Sequence, residues 1–124
     1  MKELNDLTYK IIGCAYKVHK ELGPGLLEST YEVCLEHELK KANLKVERQW
    51  PLPIIYDTIK LETGYRVDLI VEDSIILELK AVDEINANHK AQLMTYLKLS
   101  KLKLGLLLNF NVRNMQKGIN RIIM

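Results

Sequence analysis

Cysteines and long apolar runs are scarce in this 124-residue sequence. Its only two cysteines, Cys14 and Cys34, belong to no CxxC or Cys/His cluster, which argues against zinc and for a reducing compartment. We expect both to be small buried residues. The apolar runs fall far short of the roughly 20 residues of a membrane-spanning helix, and the N-terminus is too polar for a signal peptide. These absences predict a cytoplasmic protein with no membrane partner.

An excess of charge of one sign is also lacking. The chain has 18 Lys and Arg against 16 Asp and Glu, a net charge of +2. The overall charge therefore does not indicate a nucleic-acid partner, and any basic surface must be local. Hydrophobic residues make up 48% and charged residues 27%, as is ordinary for a globular protein. The length, without a visible repeat or linker, suits a single domain over residues 1–124.

Three segments carry apolar residues at helical spacing: 4–22, 26–43 and 86–99. Gly23-Pro24-Gly25 ends the first, because proline cannot continue a helix and glycine suits its cap. Glu28 lies in the first turn of the second helix, where the helix dipole favours a carboxylate. The same position would let its side chain reach a neighbouring sheet edge.

Strand-like segments occupy much of the rest of the chain. They are 46–56, 59–62, 66–71, 75–80, 103–110 and 118–124. Pro51 and Pro53 predict that the first is an edge or bulged strand, and Thr63-Gly64 ends the second. A helical turn is expected at 115–117. With the helices, these segments predict a mixed β-sheet with helices packed on it, an α/β fold.

The stretch 66–80 is the one around which the rest of the chain is organised. Two apolar, β-branched runs flank a three-residue polar break, a pattern typical of a β-hairpin with a short loop. With a three-residue loop, Val71 faces Ile75. Side chains alternate along a strand, so Leu77 and Leu79 are predicted to face the core.

The same register brings charged residues together at the far end of the hairpin. Asp68 lies opposite Glu78, with Cβ atoms about 5 Å apart, and Arg66 lies opposite Lys80. Two opposed carboxylates repel, but a bound Mg²⁺ would make the pair favourable because this ion prefers carboxylate oxygens. The plainer alternative is a solvated Asp68 beside a surface ion pair of Glu78 and Lys80. Arg66 would then either bind phosphate or offset the carboxylates.

Three motifs in this sequence resemble those of a known nuclease superfamily. Asp68 followed by Glu78-Leu79-Lys80 resembles the D…(D/E)xK motif of the PD-(D/E)XK nucleases, with Val67 in place of the proline. The string 25–31, GLLESTY, resembles the opening signature of the small bacterial GxxExxY family within that superfamily. The string 92–96, QLMTY, resembles the QxxxY motif of its RecB-like branch.

The resemblance implies a restriction-endonuclease-like core, a central mixed sheet flanked by helices in the order α-α-β-β-β-α-β. It also implies a nuclease that hydrolyses phosphodiester bonds with Mg²⁺ or Mn²⁺. The site residues that it implies are Glu28, Asp68, Glu78, Lys80, Gln92 and Tyr96. Among these the metal ligands would be Asp68, Glu78 and Glu28, with the carbonyl of Leu79.

The remaining site residues would act on water and substrate. Lys80 would contact the attacking water or the scissile phosphate, and the resemblance puts Gln92 and Tyr96 beside it. These two residues are four apart and share one helix face with His89. Tyr96 is alternatively a half-buried core aromatic with its hydroxyl satisfied. His89 is expected to be an exposed helix residue rather than a catalyst.

The expected partner is nucleic acid, DNA rather than RNA. A basic track could be built from six residues, which are otherwise ordinary solvated surface: Lys98, Lys101, Lys103, Arg113, Lys117 and Arg121. One alternative from another class is a non-catalytic nucleic-acid- or protein-binding module that keeps the nuclease fold. Another is a subunit, for example of a homodimer, whose site is complete only in the oligomer and whose contact surface is the edge strand near Pro51 and Pro53.

Overall fold

A computed structural model describes residues 2–62 and 64–124 of the chain. Its helices are α1 (Lys2–Leu22), α2 (Glu28–Lys41) and α3 (Ala87–Ser100), with a 3₁₀ turn at Met115–Gly118. Its strands are β1 (Val46–Pro51), β2 (Ile54–Tyr56), β3 (Ile59–Leu61), β4 (Arg66–Val71), β5 (Ile75–Lys80), β6 (Leu104–Asn109) and β7 (Ile119–Ile123). The predicted break at Thr63-Gly64 falls in part outside the described residues, since Thr63 is not among them.

Five of the strands form a mixed sheet in the order β1-β4-β5-β6-β7. The β5–β6 pair is parallel and the other pairs are antiparallel. The predicted fold class, a central mixed sheet flanked by helices, is confirmed. The segment 46–56 is not one strand, however, because it divides into β1 at the sheet edge and β2 in a separate hairpin with β3. Pro53 lies at the division, where its missing N–H cannot join a ladder.

The helices cover both faces of the sheet. Helices α1 and α2 pack on one face over Leu77 and Leu79, which are buried as predicted. Helix α3 packs on the other face, where its Leu93 meets Ile76 of β5. Because side chains alternate along β5, Glu78 shares the α3 face with Ile76.

The β4–β5 hairpin has the predicted three-residue loop, since Val71 pairs with Ile75. Backbone pairing continues through Ile70 to Leu69, which pairs with Leu77, and stops there. The ladder therefore does not extend to the predicted positions of Asp68 opposite Glu78 and of Arg66 opposite Lys80. The strands part because Arg66 and its neighbours stay paired with the edge strand β1, while β5 stays paired with β6 as far as Lys80.

Two smaller expectations are resolved by the helices. Cys14 and Cys34 form no disulfide, but both are half-buried rather than buried, because they lie at the margin of the apolar stripes of α1 and α2. Within residues 2–62 and 64–124, no helix combines the length and apolarity needed to cross a bilayer.

Candidate active site

Two carboxylates occupy the gap where β4 and β5 part. The backbone N–H of Asp68 donates to Glu78 Oε2 over 2.7 Å, and the N–H of Leu79 donates to Asp68 Oδ2 over 2.9 Å. Each carboxylate thus satisfies a peptide donor that the interrupted ladder would otherwise leave unpaired. The structure thus brings Asp68 and Glu78 together through hydrogen bonds between each carboxylate and the backbone of the opposite strand, rather than through backbone pairing.

Both carboxylic acids are harder to ionise than usual. Burial raises the pKa of Glu78 to about 8, and the neighbouring charge of Asp68 adds to the rise. Burial also raises the pKa of Asp68 to about 6, although the hydrogen bond from Leu79 works in the opposite direction. Two acids in this state favour either a shared proton or a bound cation.

Lys80 ends β5 beside the two acids. Its side chain is half-buried and its positive charge lowers the pKa of both Asp68 and Glu78, though less than burial raises it. Within the described part of the chain, Lys80 makes no ion pair. The surface ion pair of Glu78 with Lys80, which was the plainer alternative, is therefore not formed, since Glu78 is only 5% exposed and bonds to the backbone instead.

Helix α2 begins at the rim of this gap. Its first residue, Glu28, is exposed, and Glu28 Oε2 lies 3.4 Å from the N–H of Ala81, the residue after Lys80. The charge of Glu28 contributes to the raised pKa of Asp68. The structure therefore brings Glu28 to the edge of the site, with its carboxylate more solvated than the other two.

Tyr31 fixes the loop that leads into α2. Its hydroxyl donates to the carbonyl of Gly23 over 2.6 Å and accepts from the N–H of Leu26 over 3.1 Å. Its buried ring stacks on Phe110 with centroids 4.7 Å apart. In the GLLESTY string, the tyrosine therefore holds the loop in the position from which Glu28 reaches the site.

Tyr96 approaches the carboxylates from α3. It is 7% exposed, and burial raises the pKa of its phenol, with further contributions from the charges of Glu78 and Asp68. Gln92 Nε2 donates to the Tyr96 hydroxyl over 3.2 Å, as their spacing predicts. Tyr96 also packs in the apolar layer under α3, so it is a core aromatic and a neighbour of the site at once.

His89 is not brought to the site. Its N–H donates to Asn86 Oδ1 over 3.0 Å, and its Nδ1 accepts from the N–H of Asn86 over 3.1 Å. These reciprocal bonds cap the start of α3. His89 is half-buried rather than exposed, because its ring folds back onto the helix end.

Glu32 and Gln49 also lie beside Asp68, and neither was predicted from the sequence as a site residue. Glu32 lies one turn after Glu28, is 6% exposed and pairs with Arg48 at 2.7 Å. Gln49 Nε2 donates to both oxygens of Glu32 and lies 3.5 Å from Asp68 Oδ1. The i, i+4 spacing of the two glutamates was a usable signal, because it places them on one face of the helix. Nothing in the sequence marks Gln49.

The predicted basic track is divided between two ends of the sheet. Lys98, Lys101 and Lys103 precede Leu104, which pairs with Ile75 at the start of β5 and so lies far from Lys80. They belong to the opposite end because β6 runs parallel to β5. Arg113 and Lys117 follow Asn109, the partner of Lys80, and lie at the site end.

Arg66 and Arg121 each use the guanidinium to contact another part of the chain. Arg66 donates from Nη1 to the carbonyl of Gln49 over 3.2 Å, so it holds the edge strand beside the site. Arg121 contacts Asn5 of α1 through its guanidinium. Neither arginine is paired with a carboxylate in the described part of the chain.

The potential metal ligands in the gap between β4 and β5 are oxygen atoms, and they are few in number. Among residues 2–62 and 64–124, no group of three or more His, Cys, Asp or Glu side chains has the arrangement of a metal site. The donors present are the carboxylates of Asp68 and Glu78, with the Leu79 carbonyl and Glu28 as further candidates. Hard oxygen ligands of this kind suit Mg²⁺ or Mn²⁺, and a cation would offset the burial and the neighbouring negative charges that raise the pKa of both acids.

Comparison with known proteins gives a family for this arrangement. The family model that matches is that of the PD-(D/E)XK nuclease superfamily, over residues 5–122. Neither the curated proteins nor the solved structures gave a match. The match covers nearly the whole chain and includes both acids, Lys80, α2 and α3. The chain therefore belongs to the PD-(D/E)XK nuclease superfamily.

Proposed function

We propose that this chain is a Mg²⁺- or Mn²⁺-dependent nuclease of the GxxExxY kind, which hydrolyses phosphodiester bonds in DNA. The observation that carries the proposal is the pair of half-buried Asp68 and buried Glu78, each of which accepts a backbone N–H from the other's strand. Beside them lies Lys80, whose ammonium makes no ion pair within the described residues. A fold selected for stability alone gains nothing from two acids that repel each other in a buried place.

Asp68 and Glu78 would hold the metal, with the carbonyl of Leu79 and with Glu28 at the rim. Their raised pKa values support this role, because the same burial and repulsion that resist ionisation favour a divalent cation. When bound, such an ion supplies a more acidic water and polarises the phosphate. Glu28 is more exposed and would adjust the position of water rather than bind most tightly.

Lys80 would stabilise the charge that develops on phosphate, or hold the attacking water. Its ammonium lies near both acids without being neutralised by a direct ion pair, so its charge is available to a substrate. Tyrosine is ordinarily protonated at neutral pH, and the raised pKa of Tyr96 keeps it so; its hydroxyl accepts a hydrogen bond from Gln92. The phenol can therefore donate to Lys80's water or to a phosphate oxygen.

A cleavage assay tests this function directly. Purified protein is incubated with single- and double-stranded DNA and RNA in Mg²⁺, in Mn²⁺ and in chelator, beside Glu78→Ala. Glu72→Gln is the matched control, since Glu72 is an exposed carboxylate at the opposite end of the same hairpin. We expect metal-dependent DNA cleavage that Glu78→Ala abolishes and Glu72→Gln retains. Cleavage that survives Glu78→Ala would contradict the assignment.

A non-catalytic binding module is the second candidate. It is favoured by the small number of carboxylates that the described residues bring to the gap, since Asp68 and Glu78 each already accept a backbone N–H. Nucleic-acid or protein binding that is unaffected by chelator, without turnover, would support this alternative. The homodimer arrangement is separate from both, and light scattering of the purified protein tests it.

A further inference from the structure

Gln49 interrupts the edge strand at the point where that strand meets the site. On either side of it, Arg48 pairs with Leu69 and Trp50 pairs with Val67, but Gln49 and Asp68 between them make no backbone pair. Gln49 has a φ of +53°, in the left-handed region. Residues with side chains rarely adopt this region, and glutamine lacks the short side chain that lets asparagine or aspartate do so more easily.

This backbone conformation has no local explanation. The other positive-φ residues with side chains lie in turns or at helix ends: Asn43, Asp57, Glu72, Asp73 and Lys101. Gln49 alone among these residues lies inside a strand of the described chain. Strain of this kind persists where the surrounding structure holds it, and it is often found beside functional groups.

The strained backbone aims the Gln49 amide between two carboxylates. Nε2 donates to Glu32 Oε1 over 3.0 Å and to Oε2 over 3.2 Å, and it lies 3.5 Å from Asp68 Oδ1. An amide nitrogen carries two hydrogens, so it can serve both acids. Glu32 is buried and fixed by Arg48 at 2.7 Å, so it is a firm anchor for the amide.

We propose that Gln49 is a positioning residue that orients Asp68 for a divalent cation. The N–H of Leu79 holds one oxygen of Asp68, and the Gln49 amide approaches the other, so the carboxylate is restrained from both sides. This inference rests on the proposed function, since it concerns the same metal site. Hydrogen-bond partners of metal ligands typically change metal affinity by about 10- to 100-fold.

The test is the affinity for Mg²⁺ of Gln49→Gly, measured by calorimetry. Glycine adopts the positive φ without strain, so the backbone is retained while the amide is removed. We expect affinity to fall by about 10- to 100-fold. Thermal unfolding measured without metal should remain cooperative, with a melting temperature within roughly 8 °C of wild type.

Two control variants separate the orientation of Asp68 by the Gln49 amide from a general loosening of the structure. Asn43→Gly introduces glycine at another positive φ, +63°, at the exposed end of α2, and should leave the affinity unchanged. Arg48→Ala removes the other partner of Glu32 but not the amide beside Asp68. It should lower the affinity much less than Gln49→Gly does.

The results of these titrations distinguish the positioning role of Gln49 from the proposed metal-dependent function. Wild-type affinity in Gln49→Gly would overturn the positioning role while leaving the metal site standing. An equal loss in Arg48→Ala would also overturn it, because the affinity would then fall although the amide beside Asp68 is still present. If the wild-type chain binds no Mg²⁺ at all, the positioning role and the proposed function both fail.

Discussion

The two ends of the β4–β5 hairpin differ sharply, although the same two strands form both. At the turn end, residues 69–71 pair regularly with 75–77, and every side chain is apolar and at most 3% exposed. At the other end the ladder is open, and Asp68 and Glu78 bond to peptide groups across the gap. One end of the hairpin therefore contributes apolar packing to the core, and the other end carries the two carboxylates of the candidate site.

This division has an energetic reason. Buried carboxylates are costly unless they are paired or neutralised, and here they repel each other. The apolar end supplies burial that offsets this cost. Substitutions at the turn end should therefore change stability without changing metal affinity, and substitutions at the open end should change metal affinity.

Leu77→Ala should have the largest effect on stability. Leu77 is 0% exposed under α1 and α2, and truncating such a side chain leaves a cavity. The free energy of unfolding should fall by about 2–5 kcal/mol, measured by urea denaturation. Mg²⁺ affinity should be unchanged at temperatures where the variant is folded. An affinity loss as large as the stability loss would show that the two ends are not independent.

Lys80→Met should act on turnover. Removing the ammonium should lower the cleavage rate by roughly 10²–10³-fold, as expected when a preorganised charge is lost from an active site. Metal affinity should not fall, because a positive neighbour of the acids has been removed. Lys90→Met, at an exposed position on α3, is the control. A weakened metal site with a normal rate at saturating metal would contradict this role for Lys80.

The pH dependence of stability should report the acids directly. Their folded pKa values, about 6 for Asp68 and about 8 for Glu78, lie above the values near 4 of the unfolded chain. Between these values the folded state binds more protons, so metal-free protein should lose stability as the pH rises from about 4 to about 8. The loss should be several kcal/mol, since each unit by which a pKa is raised is worth about 1.4 kcal/mol.

Glu78→Gln provides the control for that profile. An amide cannot ionise, so the variant should show a flatter pH profile and should exceed the wild type in stability near pH 8. Both proteins are compared by denaturant unfolding in chelator. A wild-type profile that is flat over this range would mean that the acids are not buried together as described.

Tyr31→Phe should have the smallest effect. The variant loses the hydroxyl bonds to Gly23 and Leu26 but keeps the ring stacked on Phe110. We expect a loss of about 1 kcal/mol in the free energy of unfolding. Tyr9→Phe, at a side chain that is 81% exposed, should change nothing. Equal stability of the two variants would remove the role of Tyr31 in holding the loop before α2.

Much of the fold could be predicted because its signals are local. The polar break after Val71 determined the hairpin loop, and strand alternation placed Leu77 and Leu79 in the core. The register also predicted that Asp68 and Glu78 lie close together across the hairpin. The opening of the ladder did not, because it depends on how β1 and β6 hold the two strands apart.

The missed parts of the site depend on long-range geometry. Gln49 reaches Glu32 and Asp68 only because its backbone is left-handed, and a strand residue carries no sequence signal for that. The sequence could not separate the lysines before β6 from the basic residues at the site end, because the direction of that strand was not known. Only Arg113 and Lys117 of the basic set lie at the site end.

Locating a bound ion would test the central claim most directly. Crystals of the wild-type chain grown with Mn²⁺ and measured near the manganese absorption edge would show any bound ion by anomalous scattering. We predict a peak coordinated by the carboxylates of Asp68 and Glu78, absent in Asp68→Asn. A peak elsewhere on the molecule, or an empty gap between β4 and β5 at saturating Mn²⁺, would contradict the account.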